Sequence, residues 1–248
     1  MKEFKKKVLF IGDVHGLTEW DNIAMGGLKN FYEIVFLGDY VDSFFVSAAQ
    51  QMANLRDLIT FLRKHQDVAT ALLGNHDYAY IYGYSGISGH QHYHIQEYRK
   101  IFQDNIDLFK IAWGFTGKDG KYTLATHAGL TSEFWNKFVV PEFNEGKWLH
   151  TITDGKKPDE IPMHETLNYL KDKGDVLWKV GRARMGAGTP GPLWADYTEV
   201  LDDPYPGINQ VFGHTPRASV TVDHIDNNFL ACVDSWGNKR IVSLLLPL

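Results

Sequence analysis

Three apolar runs near the start of the chain are continuous rather than alternating: Val8-Leu9-Phe10-Ile11, Ile34-Val35-Phe36-Leu37 and Val68-Ala69-Thr70-Ala71-Leu72-Leu73. Such short runs read as strands buried on both faces. Between them lie two predicted helices. One covers Thr18 to Asn30, with Thr18 or Asp21 near its start; the other covers Ala48 to His65, with Met52, Leu55, Ile59 and Leu62 at helical spacing. Strand, helix, strand, helix, strand with short connections predicts an α/β fold with a parallel sheet and right-handed crossovers.

After a stretch rich in Gly, Tyr and His (Tyr78 to Tyr98), Gln96 to Asn105 predicts a helix. Phe109 to Phe115 and Tyr122 to Thr126 predict two strands joined around Lys118-Asp119-Gly120. Thr131 to Phe138 predicts a short helix capped by Thr131 or Ser132. From about Val139 to Gly191 the periodicity fades except for a helix at His164 to Lys173. That stretch has too few periodic apolar positions for a core of its own, so 139–191 reads as an insertion in a single domain spanning 1–248. Gln210-Val211-Phe212 predicts another strand. Ser219 to Ile225, Phe229 to Val233 and Ile241 to Leu246 predict antiparallel strands that finish a second sheet.

Of 248 residues, 44% are hydrophobic and 14% aromatic, which supplies a sizeable core and argues against disorder. A net charge of -5, with acids and bases interspersed, argues against general nucleic-acid binding through a basic surface. The lone cysteine, Cys232, sits in an apolar run and reads as a core residue. With no partner for a disulfide in the chain, a reducing, cytoplasmic setting is expected. The apolar run behind Lys5-Lys6-Lys7 is too short for a signal peptide and ends in Gly-Asp, and nothing approaches a membrane span.

The candidate chemistry lies where the apolar runs stop. Gly12-Asp13-Val14-His15-Gly16, Gly38-Asp39-Tyr40-Val41-Asp42, Gly74-Asn75-His76-Asp77, His127-Ala128-Gly129 and Gly213-His214-Thr215-Pro216 each follow a predicted strand. Ligands collect at the carboxyl ends of strands in open α/β folds. If these ends converge, carboxylates, an amide and imidazoles offer a donor set for divalent ions such as Mn, Fe, Ni or Zn. Asp13, His15, Asp39, Asn75, His127 and His214 are too many for one tetrahedral site and suit two ions that share a carboxylate.

In this order the motifs resemble the metallophosphoesterase (calcineurin-like) superfamily, nearest to its phosphoprotein-phosphatase branch with bacterial and phage members, from about residue 7 to residue 246. The resemblance implies a two-sheet sandwich flanked by helices. It implies a first metal on Asp13, His15 and Asp39 and a second on Asp39, Asn75, His127 and His214, with manganese the leading ion. His76 would be the general acid over the leaving group, with Asp77 behind it. The activity implied is hydrolysis of phosphate esters, serine/threonine-phosphatase-like, by in-line attack of a metal-bridging hydroxide. Its substrate would be a phosphoprotein, a phosphomonoester or a nucleotide. The alternatives are a nucleotide phosphodiesterase or dinucleoside polyphosphate hydrolase, and a non-catalytic metal-binding scaffold.

One departure matters. The family usually continues its second motif Asp-Arg-Gly, the Arg clamping phosphate, whereas Asp42 is followed by Ser43-Phe44. Arg182, Arg184 and Arg217 are the candidate substitutes for binding substrate. Asp42 reads as a brace for its loop. Tyr78, Tyr80, Tyr82 and Tyr84 read as packing beneath the catalytic loop, and His90, His92 and His94 as a polar loop face, with an extra metal site as the alternative. Trp135, Trp148, Trp178, Trp194 and Trp236 read as core or lid packing.

Overall fold

The computed structural model describes residues 7–30, 32–235 and 241–247. The continuous apolar runs form β1 (Lys7–Ile11), β2 (Glu33–Phe36) and β3 (Ala69–Leu72), joined through helices α1 (Trp20–Lys29) and α2 (Ala48–Lys64). These strands are mutually parallel, and β4 (Phe109–Lys110) continues the sheet beside β3. α2 begins on a capping box in which the Ser47 side chain accepts from the Gln50 amide. α1 starts at Trp20 with Thr18 and Asp21 flanking its start as expected, and neither side chain caps it.

Successive residues of β1 and β2 face opposite ways. Leu9, Ile11, Ile34 and Phe36 pack against Trp20, Ala24, Leu55, Leu58 and Leu62 of the helices. Val8, Phe10, Val35 and Leu37 face Trp113, Ala125, Val211 and Ala231 of the second sheet. That sheet runs β5 (Ala112–Thr116), β6 (Tyr122–Thr126), β7 (Asn209–Phe212), β9 (Asn228–Cys232), β8 (Thr221–Ile225) in spatial order. Its outer face is covered by Ala195, Tyr197 and Val200 over Phe212 and Cys232. The architecture is therefore the expected α/β sandwich of two sheets flanked by helices.

Three expectations are corrected. Phe109 to Phe115 is not one strand, because the chain leaves the first sheet after Lys110 and enters the second at Ala112. The amides freed at this crossing, Ile111 and Ala112, both donate to Asn168 Oδ1 (2.8 and 3.0 Å), which meets the need of buried backbone for partners. The last strand, β10 (Ser243–Pro247), pairs antiparallel with β1 and so closes the first sheet, not the second. β9 runs parallel to β7; only its pairing with β8 is antiparallel.

Thr131 caps its helix as expected, accepting from the Phe134 amide, but the helix continues through a π turn at Trp135–Val139. Across 139–191 the elements are short: helices at Trp148–Ile152, Met163–Tyr169 and Gly174–Leu177, the second of which takes the place of the helix expected at His164 to Lys173 and ends earlier. Val139, Phe143, Leu149, Leu167, Leu170 and Leu177 are buried in the same apolar cluster as the helix side of the first sheet. Cys232 is fully buried, its thiol pushed up to about 12 by burial and by Asp234. Trp236, expected in packing, lies outside the described residues.

Candidate active site

Parallel pairing brings the carboxyl ends of β1, β2 and β3 side by side, and those of β6 and β7 meet them from the other sheet. The loops are stitched together by backbone bonds: Val14 and His15 amides donate to Asp39 O, and Gly213 N donates to His127 O. Close approach needs glycine in these loops, and two such glycines abut the candidate donors directly. A Cβ on Gly74 would lie 2.0 Å from Asp39 Oδ1, and one on Gly213 would lie 2.2 Å from Asp13 Oδ1. Four site residues with side chains, His15, Asp39, Asp42 and His214, hold positive φ of 41°, 54°, 67° and 65°. Backbone in that region is uncommon outside glycine and concentrates where function over-determines geometry.

The donors predicted from the strand ends do converge. Asn75 Oδ1 lies 3.0 Å from both His127 Nε2 and His214 Nδ1, which are 3.2 Å apart, and Asp39 Oδ2 lies 3.4 Å from His127 Nε2. His127 Nδ1 donates to Leu37 O at 2.8 Å, so a neutral ring presents Nε2 as a bare lone pair. Lone pairs of a carboxylate, an amide and two imidazoles thus face one point, an arrangement that a cation satisfies. Ligands about 2.1 Å from an ion stand about 3.0–3.4 Å from one another, which matches this set.

On the other side of Asp39, His15 Nε2 lies 3.7 Å from Asp39 Oδ2 and 4.0 Å from Asp13 Oδ2, and His15 Nδ1 pairs with Val41 O at 2.8 Å. The structure thus groups Asp39, His127 and His214, and Asp13, His15 and Asp39, as two donor sets sharing Asp39. The donor chemistry fits two divalent ions. The His15 side chain is 36% exposed while His127 is fully buried, so the pocket opens on the His15 side.

Charge is concentrated here. Burial lifts Asp13 well above the usual carboxylate range, and Asp234 adds to it. Asp234 is half-buried and pushed up to about 6, chiefly by desolvation. Sequence reasoning missed this residue, because it follows a core strand with no motif around it. Burial also works against the Asp39 anion, but His127, His76 and His15 outweigh it and hold Asp39 well below the usual range. Burial opposes the charged form of His127 too, yet Asp39 and Asp13 lift its pKa to about 10. His214 is held low by burial and by the neighbouring His127 and Arg184.

A titration behaviour follows. At pH 7 an imidazole with a pKa of about 10 carries its proton, and ligation through Nε2 must remove it. Metal binding is expected to release at least about one proton, with affinity rising about tenfold per pH unit toward pH 10. Calorimetry in buffers of different ionisation heat reads this directly; no proton release would contradict it.

His76 occupies the rim, with its side chain 10% exposed and Nε2 3.9 Å from Asp39 Oδ2. Its partner is Asp42, not Asp77: His76 Nδ1 donates to Asp42 Oδ2 at 2.9 Å. Burial disfavours the imidazolium, but Asp39 and Asp42 outweigh it and raise the His76 pKa. Asp77 turns the other way and accepts from the amides of Gly74, Asp39 and Tyr40 at 2.8–2.9 Å, which explains the correction. It is a carboxylate cap on helix α3 (Asn75–Tyr82) that ties this helix to the β2 loop. The signal for Asp42 was its place at the end of the second motif.

Two of the candidate arginines are engaged by other side chains and the third is exposed. Arg184 is tied to Asp196 (Nε to Oδ2, 3.0 Å) and donates to Thr215 Oγ1 and His214 O, bracing the loop that carries His214. Arg217 stacks on Tyr197 with its guanidinium carbon 4.5 Å from the ring centroid. Arg182 is exposed. Ser43 is buried, and Gln51, fully buried, accepts from its amide and donates to Ser43 O and Val46 O, which leaves Phe44 71% exposed.

The tyrosines do pack: Tyr78 and Tyr82 bond to Lys171 O and Asp172, and Tyr84 stacks on Trp178. His90, His92 and His94 belong to neither donor set found among the described residues. Among those residues no helix is long and apolar enough to cross a membrane.

A two-sheet α/β sandwich with clustered metal donors at its strand ends defines a metal-dependent phosphoesterase class. The calcineurin-like phosphoesterase family model matches residues 6–218, and the chain belongs to that family. A search of curated proteins finds no match. Among solved structures the chain is similar to a cold-active protein-tyrosine phosphatase of a psychrophilic Shewanella, at 18% identity and TM-score 0.54, over 98% of this chain and 75% of the other. A second structure of a cold-active protein tyrosine phosphatase gives 19%, 0.55, 98% and 74%. A metallophosphoesterase from Sphaerobacter thermophilus gives 12%, 0.42, 97% and 83%. At these identities the first two speak for the fold.

Proposed function

We propose that this chain is a cytoplasmic phosphatase with a dinuclear centre, one ion on Asp13, His15 and Asp39 and the other on Asp39, Asn75, His127 and His214. The observation that carries the reading is Asp39 Oδ2, within 3.4 Å of His127 Nε2 and 3.7 Å of His15 Nε2, on the boundary of both donor sets. Two divalent ions, manganese by preference, supply charge neutralisation for phosphate oxygens and an acidified water as nucleophile. His76 protonates the leaving oxygen from Nε2. Asp42, bonded to Nδ1, fixes the tautomer and stabilises the imidazolium. Asp77 holds the loop and takes no part in proton transfer. The segment 139–191 shapes the substrate side of the pocket.

Phosphate monoesters, phosphoproteins included, are the preferred substrate class. The absence of a guanidinium after Asp42 favours nucleotide diesters as the second reading. An assay of manganese-loaded protein on p-nitrophenyl phosphate, bis-p-nitrophenyl phosphate, diadenosine tetraphosphate and a phosphopeptide separates them. Monoester turnover is expected. Diester-only turnover would replace the reading with the second one, and tight metal binding without any turnover would leave a scaffold.

A further inference from the structure

His76 and Tyr80 stand four residues apart on α3 and so share a face. Asp42 meets both. Its buried carboxylate takes His76 Nδ1–H on Oδ2 at 2.9 Å and Tyr80 Oη–H on Oδ1 at 2.5 Å. The direction of the second bond is fixed, because Tyr80 Oη already accepts from the Gln91 amide at 2.7 Å. Its own hydrogen is therefore committed to Asp42. The loop that supplies Gln91 closes over the same carboxylate. The His90 ring stacks on Tyr80 at 4.4 Å with Nδ1 3.7 Å from Asp42 Oδ2. A Cβ on Gly89 would come within 2.6 Å of Asp42 O. Tyr98 packs against Tyr80 at 4.8 Å, and Arg99 Nε donates to Tyr80 O at 2.9 Å.

A carboxylate with one partner turns between two equivalent arrangements, and an imidazole leaning on it turns with it. A carboxylate with each oxygen committed has one. We propose that Tyr80 is a positioning residue for the acid: by occupying the second oxygen of Asp42 it locks the face that His76 leans on, so that Nε2 is presented to the substrate in one orientation. The chain Gln91 N–H to Tyr80 to Asp42 to His76 makes the 83–91 loop part of the acid's support. This inference rests on the reading of His76 as the acid.

The test is Tyr80→Phe, which removes only the hydroxyl, alone and combined with His76→Asn, assayed on an alkyl phosphate and on p-nitrophenyl phosphate. Loss of an outer hydrogen bond behind a functional side chain costs about 10-fold. The expected result is a fall of about 10-fold in kcat on the alkyl phosphate, a much smaller change on the activated ester, and unchanged KM and metal affinity. In the His76→Asn background the same substitution adds nothing, since coupled residues are not additive. Equal losses on both esters, or a loss that persists without His76, would make Tyr80 merely structural and overturn the proposal. If His76→Asn itself leaves alkyl turnover intact, the acid assignment falls first. If Tyr80→Phe fails to fold, fluorotyrosine at position 80 keeps the bond but alters its strength. A change confined to the alkyl ester supports the role, and no change or an equal change on both refutes it.

Discussion

Asp39→Asn is expected to strip the protein to less than one tightly held ion per chain and to lower kcat/KM by about 10⁴ or more. The substitution is close to isosteric and keeps an acceptor for the His76 amide, which now donates to Asp39 Oδ1 at 3.0 Å. What it removes is the charge on Oδ2, the atom that faces His127, His15 and His76 together. Two dications then face Asp13 as the one carboxylate remaining in the two donor sets. The loss corresponds to about 5–6 kcal/mol of transition-state stabilisation, the scale expected when metal activation is forfeited. Metal content after dialysis, together with an unfolding curve showing an intact fold, checks the prediction. A variant that retains two ions per chain would remove Asp39 from its bridging place.

His76→Asn is expected to leave metal content unchanged while kcat on alkyl phosphates drops about 10²–10⁴-fold, the usual contribution of general acid catalysis. Esters with good leaving groups need little protonation and should lose far less. The structure sharpens this expectation by supplying the partner. Asp42→Asn should reproduce the leaving-group pattern, whereas Asp77→Asn should disturb the loop that carries Asp39 and Tyr40 and so affect all substrates alike. Equal turnover of alkyl phosphate by the His76 variant would discard its role as acid.

How far the sequence could be read follows from what kind of information each feature carries. β1, β2 and β3 were legible because burial on both faces leaves uninterrupted apolar runs, and their ends carry the short polar motifs. The convergence of Asp13, Asp39, Asn75, His127 and His214 followed from topology once the strands were parallel. The path of Phe109 to Thr116 was not legible. A strand that changes sheet at Ile111 keeps the same apolar pattern, and its crossing is stabilised by Asn168, remote in sequence. The placement of β10 beside β1 was hidden for the same reason, since an edge strand's pattern does not name its neighbour.

In the site, the side-chain directions were the hidden part. Asp77 follows His76 directly, and residues adjacent on a helix point about 100° apart, so the neighbour in sequence could not be the partner in space. Tyr80, one turn on, could have been found had α3 been seen to begin at Asn75. The tyrosine-rich stretch gave no helix expectation, since helix-breaking glycines follow at Gly83, Gly86 and Gly89. Arg217 was sought for its nearness in sequence to His214, and Arg182 and Arg184 for their place before Pro192-Leu193-Trp194-Ala195; Arg184 and Arg217 are engaged by Asp196 and Tyr197.

The account rests on two cations divided by one carboxylate. Anomalous diffraction from crystals grown with manganese measures this directly. Two peaks about 3.5–4 Å apart, one on each side of Asp39 Oδ2, with Asn75, His127 and His214 around one and Asp13 and His15 around the other, are the predicted result. A single peak, or peaks away from Asp39, would contradict it.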